Sequence, residues 1–278
     1  MSFTVKDSLS LPGSQLNEDA FAHSQNAALV MDGTTPLGEG LMPGTSDAAW
    51  LAQFGSRRLM AHLKEGDAPR EALAHALADA EKSFVALRRR PLREKWETPC
   101  CSMMLAVESG VDVEFLWFGD CTALLLKNQA CEIIGDVFDK RGQEAERARQ
   151  VAKEKNLPPA PDLNRPEILS VLRAARNRVN SGSYWLFSPE PRAAKHVSRR
   201  MMKNAAGGLL LIASDGFLAL ATDYGAYDAM GLIRAACAKG LAALGAELRA
   251  IEDDDPLGEK FARFKKSDDA TALLIEIA

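Results

Sequence analysis

The residues of this chain best suited to chemistry are aspartates, and they recur in one setting. Ala27 to Met31 (AALVM) is an apolar run ending in Asp32-Gly33, and Leu209 to Ser214 (LLLIAS) ends in Asp215-Gly216. Asp268-Asp269 stands directly before the apolar run Thr271 to Ile277, and Gly119-Asp120 follows Val113 to Phe118. A single Asp-Gly pair is a common turn. Four carboxylates at the edges of strands in one sheet core would converge, and without cations they would repel one another strongly. Such hard oxygen ligands, in a chain with 4 histidines and no cysteine pair at zinc-ligand spacing, suit Mg²⁺ or Mn²⁺. Two such ions about 3.5–4 Å apart lower the pKa of a shared water and clamp the oxygens of a phosphate under in-line attack. The chemistry predicted is metal-assisted hydrolysis.

Strands must deliver these acids. Asp32 is predicted at a strand end, followed by a helix from Ser46, capped by Ser46 or Thr45, with Trp50, Leu51, Phe54, Leu59 and Leu63 on one face. A second helix starts at Pro69 and carries Leu73, Leu77, Phe84 and Leu87. Four strands follow, Ser102 to Val107, Val113 to Phe118, Thr122 to Lys127 and Glu132 to Val137, with connections too short for parallel crossovers, so the sheet is antiparallel. The charged stretch from Lys140 to Lys155 reads as helix, Pro158, Pro159 and Pro161 break the chain, and Pro166 to Arg178 reads as helix again. Ser183 to Phe187 and Leu209 to Ser214 read as strands, Tyr227 to Leu244 as one alanine-rich helix, and Glu252 to Asp255 as an acidic loop. Strands and helices in separate blocks predict two sheets packed together and covered by helices. We expect one domain over residues 1–278, with a flap or insertion at about 140–200.

At this point the motifs form an ordered series. Asn17-Glu18-Asp19-Ala20, Val30-Met31-Asp32-Gly33, Phe118-Gly119-Asp120, Ile212-Ala213-Ser214-Asp215-Gly216 and Asp268-Asp269-Ala270-Thr271 resemble, in order, the motifs of the metal-dependent protein phosphatase (PPM), or protein phosphatase 2C, family. The series spans nearly the whole chain. The resemblance implies an α+β fold, a four-layer α-β-β-α sandwich of two antiparallel sheets flanked by helices, with two Mn²⁺ or Mg²⁺ ions at one end. It implies that Asp32 bridges the ions, that the Gly33 carbonyl adds a ligand, and that Asp215 and Asp268 hold one ion. Glu18 and Asp19 would bind through water, and Asp120 would help hold a third ion. The implied activity is that of a serine/threonine phosphoprotein phosphatase using a metal-activated water, with a phosphorylated protein as substrate.

Three departures from that pattern stand out. Ser14 occupies the position where the family places an arginine that grips the substrate phosphate, Thr34 follows Gly33 where many members have histidine or methionine, and Asp269 replaces an asparagine. They leave open an alternative, a degenerate phosphatase-like module that binds a partner or regulates without turnover. Arg176, Asn177, Arg178 and Asn180 could supply the phosphate contact that Ser14 lacks, or simply end a helix.

The remaining features narrow the class. A net charge of −4 without a dense basic stripe argues against nucleic acid as a partner. No apolar run approaches a membrane span and the N-terminus lacks a signal-peptide pattern, so we expect a cytoplasmic protein with no membrane partner, and a monomer. The 5 scattered cysteines suggest a reducing compartment, with Cys121 a buried small hydrophobe. His23, His62, His75 and His196 are isolated along the sequence and read as surface or core residues, Trp117 and Trp185 as core, and Arg88-Arg89-Arg90 as a solvated helix end.

Overall fold

The computed structural model describes residues 2–136 and 165–278 and, between them, residues 138, 146, 150, 153 and 154 alone. Its strands are β1 (Phe3–Leu11), β2 (Ala20–His23), β3 (Ala27–Gly33), β4 (Cys101–Ser109), β5 (Asp112–Phe118), β6 (Thr122–Lys127), β7 (Ala130–Ile134), β8 (Ser198–Met202), β9 (Leu209–Ala213) and β10 (Ala270–Ile277). The helices are α1 (Asp47–Glu65), α2 (Pro69–Leu87), α3 (Pro166–Arg176), α4 (Asp215–Thr222), α5 (Ala229–Lys239) and α6 (Leu241–Asp254). The strands pair antiparallel into two five-stranded sheets, ordered β1-β10-β9-β6-β7 and β2-β3-β4-β5-β8.

Alternation along β3 shows how the layers form. Leu29 and Met31 pack outward against Leu51 and Leu59 of α1 and Leu73 and Leu77 of α2. Ala28 and Val30 point the other way and meet Ile212 of β9 and Leu273 and Ile275 of β10 across the gap between the sheets. On the far side of the second sheet, Leu124, Leu211 and Leu274 pack against Phe217, Leu232, Leu244 and Leu248 of α4, α5 and α6. A strand buried on both faces is apolar at nearly every position, which is why β3, β6 and β9 stood out in the sequence. Burying each such leucine contributes roughly 1.5–3 kcal/mol. The result is helix, sheet, sheet, helix, as expected.

Several local expectations are corrected. Ser183 to Phe187 makes only isolated bridges, Ser181 with Tyr184 and Phe187 with Cys101, because the Asn180 side chain takes the Leu186 N–H at 2.7 Å and interrupts the ladder. The alanine-rich stretch is two helices broken at Gly240, whose φ of 84° ends α5. Asp7 of β1 then accepts the Leu241 N–H at 2.7 Å at the start of α6. Glu252, Asp253 and Asp254 belong to the last turn of α6 rather than to a loop. Strand β7 begins at Ala130, two residues before its expected start, because Asn128 and Gln129 take positive φ (49° and 66°) in a tight turn. Helical character at Lys140 to Lys155 lies largely outside the described residues. Of the expected flap, α3 and the segment up to His196 are described, and its last residues enter strand β8.

Candidate metal centre

The period of the strands decides where the acids point. Asp32 lies two residues after Val30, so its side chain shares the face of β3 that looks into the gap between the sheets, at the end where the apolar core stops. Across the ladder it pairs with Ser102 of β4, whose hydroxyl donates to Asp120 Oδ1 at 2.5 Å and so holds the turn after β5 against the same spot. On the opposite sheet, Ser214 continues the β9–β10 ladder, accepting the Thr271 N–H on its hydroxyl at 2.9 Å while its own N–H reaches the Thr271 carbonyl at 2.9 Å. Asp215 is thereby placed as the first residue of α4. The ligand atoms of Asp32, Asp120 and Asp215 lie within 4.8 Å of one another.

Asp32 is the hub. Asp19, Asp268 and Asp120 all act on it electrostatically, and the Asp215 carboxylate stands close beside it. Burial first, and then these like charges, push Asp32, Asp215 and Asp19 well above the ordinary carboxylate range. Glu18 is raised by burial, against the hydrogen bond it accepts from the Ser46 hydroxyl. Asp19 Oδ2 accepts from Ser214 at 2.9 Å, but its buried Oδ1 has no hydrogen-bond partner. An unpaired buried carboxylate oxygen among these other acids is the environment a divalent cation relieves, and an all-oxygen set fits Mg²⁺ or Mn²⁺.

Two glycines let the backbones meet here. A Cβ on Gly33 would lie 2.4 Å from the Glu18 carbonyl oxygen, and one on Gly216 would lie 2.0 Å from the Asp269 carbonyl oxygen. The Asp-Gly pairs are therefore fixed by close approach rather than by turn formation.

Asp269 behaves differently from its neighbours. Its Oδ1 accepts the Gly13 N–H at 2.7 Å and its Oδ2 the Glu18 N–H at 2.6 Å, so this extra acid ties the N-terminal loop to the centre. Ser14, which follows Gly13 in the chain, is exposed.

Beside the carboxylates opens a cleft of about 610 Å³, lined among others by Thr34, Thr35, Asp120, Arg176, Arg178 and Lys265. Lys265 was not distinguished by the sequence. Its Nζ pairs with Asp268 Oδ1 and lies 3.0 Å from Thr35 Oγ1. Burial opposes its charge, but Asp268, Asp215 and Asp32 override this and hold the ammonium well above the usual lysine range. Of the polar cluster after α3, Arg176 and Arg178 face the cleft, whereas Asn177 accepts the Trp96 N–H at 2.8 Å and Asn180 is buried against Ser188 and Leu186. The signal for Lys265 was missing because Lys265-Lys266 reads as an ordinary solvated pair. Cys121 packs between the sheets, its thiol pushed up by burial, as expected.

Two antiparallel sheets with helices outside them are the fold of the solved PPM, or protein phosphatase 2C-like, serine/threonine phosphatases. No family model and no curated protein matches the chain by sequence. Among solved structures, the catalytic domain of the serine/threonine phosphatase PstP in complex with 2 manganese ions is similar at a TM-score of 0.54 and 14% identity, covering 100% of this chain and 99% of that one. PppA of Pseudomonas aeruginosa, a regulatory component of its type VI secretion system, matches at a TM-score of 0.52 and 15% identity over 99% and 98% of the two chains. The PPM phosphatase MsPP of Mycobacterium smegmatis, in complex with cacodylate, matches at 0.53 and 14% identity over 99% and 100%.

Proposed function

We propose that this chain is a metal-dependent phosphatase that removes phosphate from phosphoserine or phosphothreonine in proteins. The observation that carries the reading is the convergence of Asp19, Asp120, Asp215 and Asp268 on Asp32, with Asp19 Oδ1 buried and unpaired, at the edge of a largely apolar cleft whose cations are Arg176, Arg178 and Lys265. The resemblance of the motifs and the fold of the phosphatase neighbours support it.

In this reading Asp32, Asp215 and Asp268 hold two Mn²⁺ or Mg²⁺ ions, with the Gly33 carbonyl, Glu18 and Asp19 completing the set and Asp120 near a third. What such ions supply is a water of lowered pKa and neutralisation of the phosphate oxygens. The protein contributes orientation and charge. Ser214 and Ser102 fix the rotamers of Asp19 and Asp120, and Ser46 fixes Glu18. Lys265 and Arg176 take over the phosphate-binding role that Ser14 cannot fill, Lys265 from the segment before β10 and Arg176 from the end of α3. Helix α3, the described part of the expected flap, forms the outer wall of the cleft through Leu172, Ala175 and Arg176. A phosphorylated segment of a soluble protein partner fits a cleft of this size and charge.

The test is hydrolysis of p-nitrophenyl phosphate and of a phosphothreonine peptide by the purified protein. Release of phosphate in millimolar Mn²⁺ that stops on addition of chelator is the expected result. No turnover with either substrate in Mn²⁺ or Mg²⁺ would remove the proposal.

A further inference from the structure

A second set of metal-ligating side chains lies at the opposite end of α1. Ser46, which caps α1, touches Glu18 at the carboxylate centre, whereas His62 sits sixteen residues further on, about 24 Å along the helix at the usual rise. His62 and Glu65 belong to the last turn of α1, Asp67 follows the left-handed Gly66, and His75 and Asp79 lie one turn apart on α2. The ligand atoms of His62, Asp67 and His75 fall within 4.8 Å of one another, and the two imidazole rings are 5.2 Å apart.

The contacts of His62 divide into two kinds. Its Nε2 is 2.9 Å from Asp79 Oδ2, with Arg58 Nη2 at 3.4 Å and Arg58 Nε donating to the same Asp79 oxygen at 2.6 Å. An Nε2–H donated to Asp79 leaves the Nδ1 lone pair facing the other way. There it meets Asp67 Oδ2 at 3.5 Å and Glu65 Oε2 at 3.7 Å, both too long for good hydrogen bonds. A lone pair aimed at two anionic oxygens is unfavourable unless a proton or a metal ion lies between them, and at these distances a proton makes only a poor hydrogen bond to either oxygen. The spacing suits one: ligands about 2.0–2.1 Å from a tetrahedral Zn²⁺ stand roughly 3.4 Å from each other. His75 Nδ1, now 2.7 Å from Asp67 Oδ2, needs to open by less than about an ångström to join as a further ligand. A carboxylate behind the imidazole, as Asp79 is behind His62, is the arrangement that orients metal-bound histidines.

We propose that His62 Nδ1, His75, Asp67 and Glu65 form a binding site for a divalent cation of the Zn²⁺ or Ni²⁺ class, clamping the α1–α2 hairpin. The two imidazoles separate it chemically from the all-oxygen centre at Asp32, which suits Mg²⁺ and Mn²⁺.

The experiment is a calorimetric titration of chelator-stripped full-length protein with Zn²⁺ in excess Mg²⁺, repeated with Co²⁺ while following the visible absorption of tetrahedral cobalt. One equivalent is expected in the wild type and in Asp32→Asn, which disables the catalytic centre. His75→Ala, at an exposed side chain, and Asp67→Asn should lose that equivalent, and Asp79→Asn should weaken it about 10–100-fold. Phosphatase activity with Mn²⁺ should be unchanged in His75→Ala. Zn²⁺ binding that survives both His75→Ala and Asp67→Asn, that disappears in Asp32→Asn, or that is absent from the wild type would overturn the site, leaving the cluster a knot of ion pairs.

Discussion

Asp269 Oδ2 accepts the backbone N–H of Glu18 at 2.6 Å, joining two residues that are 251 positions apart, while its Oδ1 takes the Gly13 N–H at 2.7 Å. This carboxylate holds the N-terminal loop, and with it the Glu18-Asp19 pair, against the start of β10. Asp269→Ala leaves both N–H groups unpaired, at about 1–3 kcal/mol for a buried donor. We expect a urea midpoint shifted by that order and weakened Mn²⁺ binding, whereas Asp269→Asn, which keeps one acceptor, should lose less. Equal midpoints for Asp269→Ala and wild type would contradict this role.

Asp32→Asn removes the charge at the hub while keeping its shape. Activity should fall on the order of a thousandfold or more, because about 4 kcal/mol of barrier lowering corresponds to three powers of ten. Stability in chelator should move the opposite way. With one of five crowded carboxylates neutral, the variant should melt above the metal-free wild type, and Mn²⁺ should raise its melting temperature less. A variant that keeps most of its turnover would end the two-metal reading.

The metal-free protein should lose stability as pH rises. Asp19, Asp32 and Asp215 have folded-state values well above the ordinary carboxylate range, through burial and mutual repulsion. Between about pH 4 and those raised values the folded chain therefore binds more protons than the unfolded one, so the slope of unfolding free energy with pH is negative. Their stabilising protonation is fully present below the ordinary range and is lost as pH climbs through the raised values. Thermal melts in chelator from about pH 5 to about pH 8 should show this decline, and millimolar Mn²⁺ should abolish it. A melting temperature that is flat in chelator would contradict the predicted shifts.

Lys265→Met and Arg176→Ala should raise KM for a phosphopeptide with a smaller effect on kcat, since both residues face the cleft rather than the reacting water. Ser14→Arg should lower KM, and should partly rescue Lys265→Met. Steady-state kinetics of the four proteins checks this. A loss in kcat alone for Lys265→Met would place that lysine with the metal ligands instead.

The strands that carry the acids were legible because their signal is local. Residues of β3 and β9 are buried on both faces, so nearly every position is apolar and the aspartate at the end of each run marks where the core stops. Helices α1 and α2 were legible for the same reason, α1 from its Ser46 cap through Leu63 and α2 from Pro69 through Leu87. Strand β8, Ser198–Met202, escaped because it is a solvent-facing edge whose Arg199 and Arg200 carry no apolar alternation. The break at Gly240 escaped because Asp7, which receives the N–H that opens α6, is 234 residues away.

The sequence by itself determined which residues are acids at strand ends and in what order, and the blocks of strands and helices around them already implied two packed sheets covered by helices. It could not rank Lys265 above Lys266, show that Asp269 faces two backbone donors, or bring His62, Asp67 and His75 together. Those properties belong to distances between segments far apart in the chain. Two sheets packed face to face decide where Lys265 meets Asp32 and Asp215, and an antiparallel hairpin decides where α1 meets α2. Apolar periodicity records only whether a side chain is buried, whereas electrostatics and coordination depend on which other charges share its few ångströms of space.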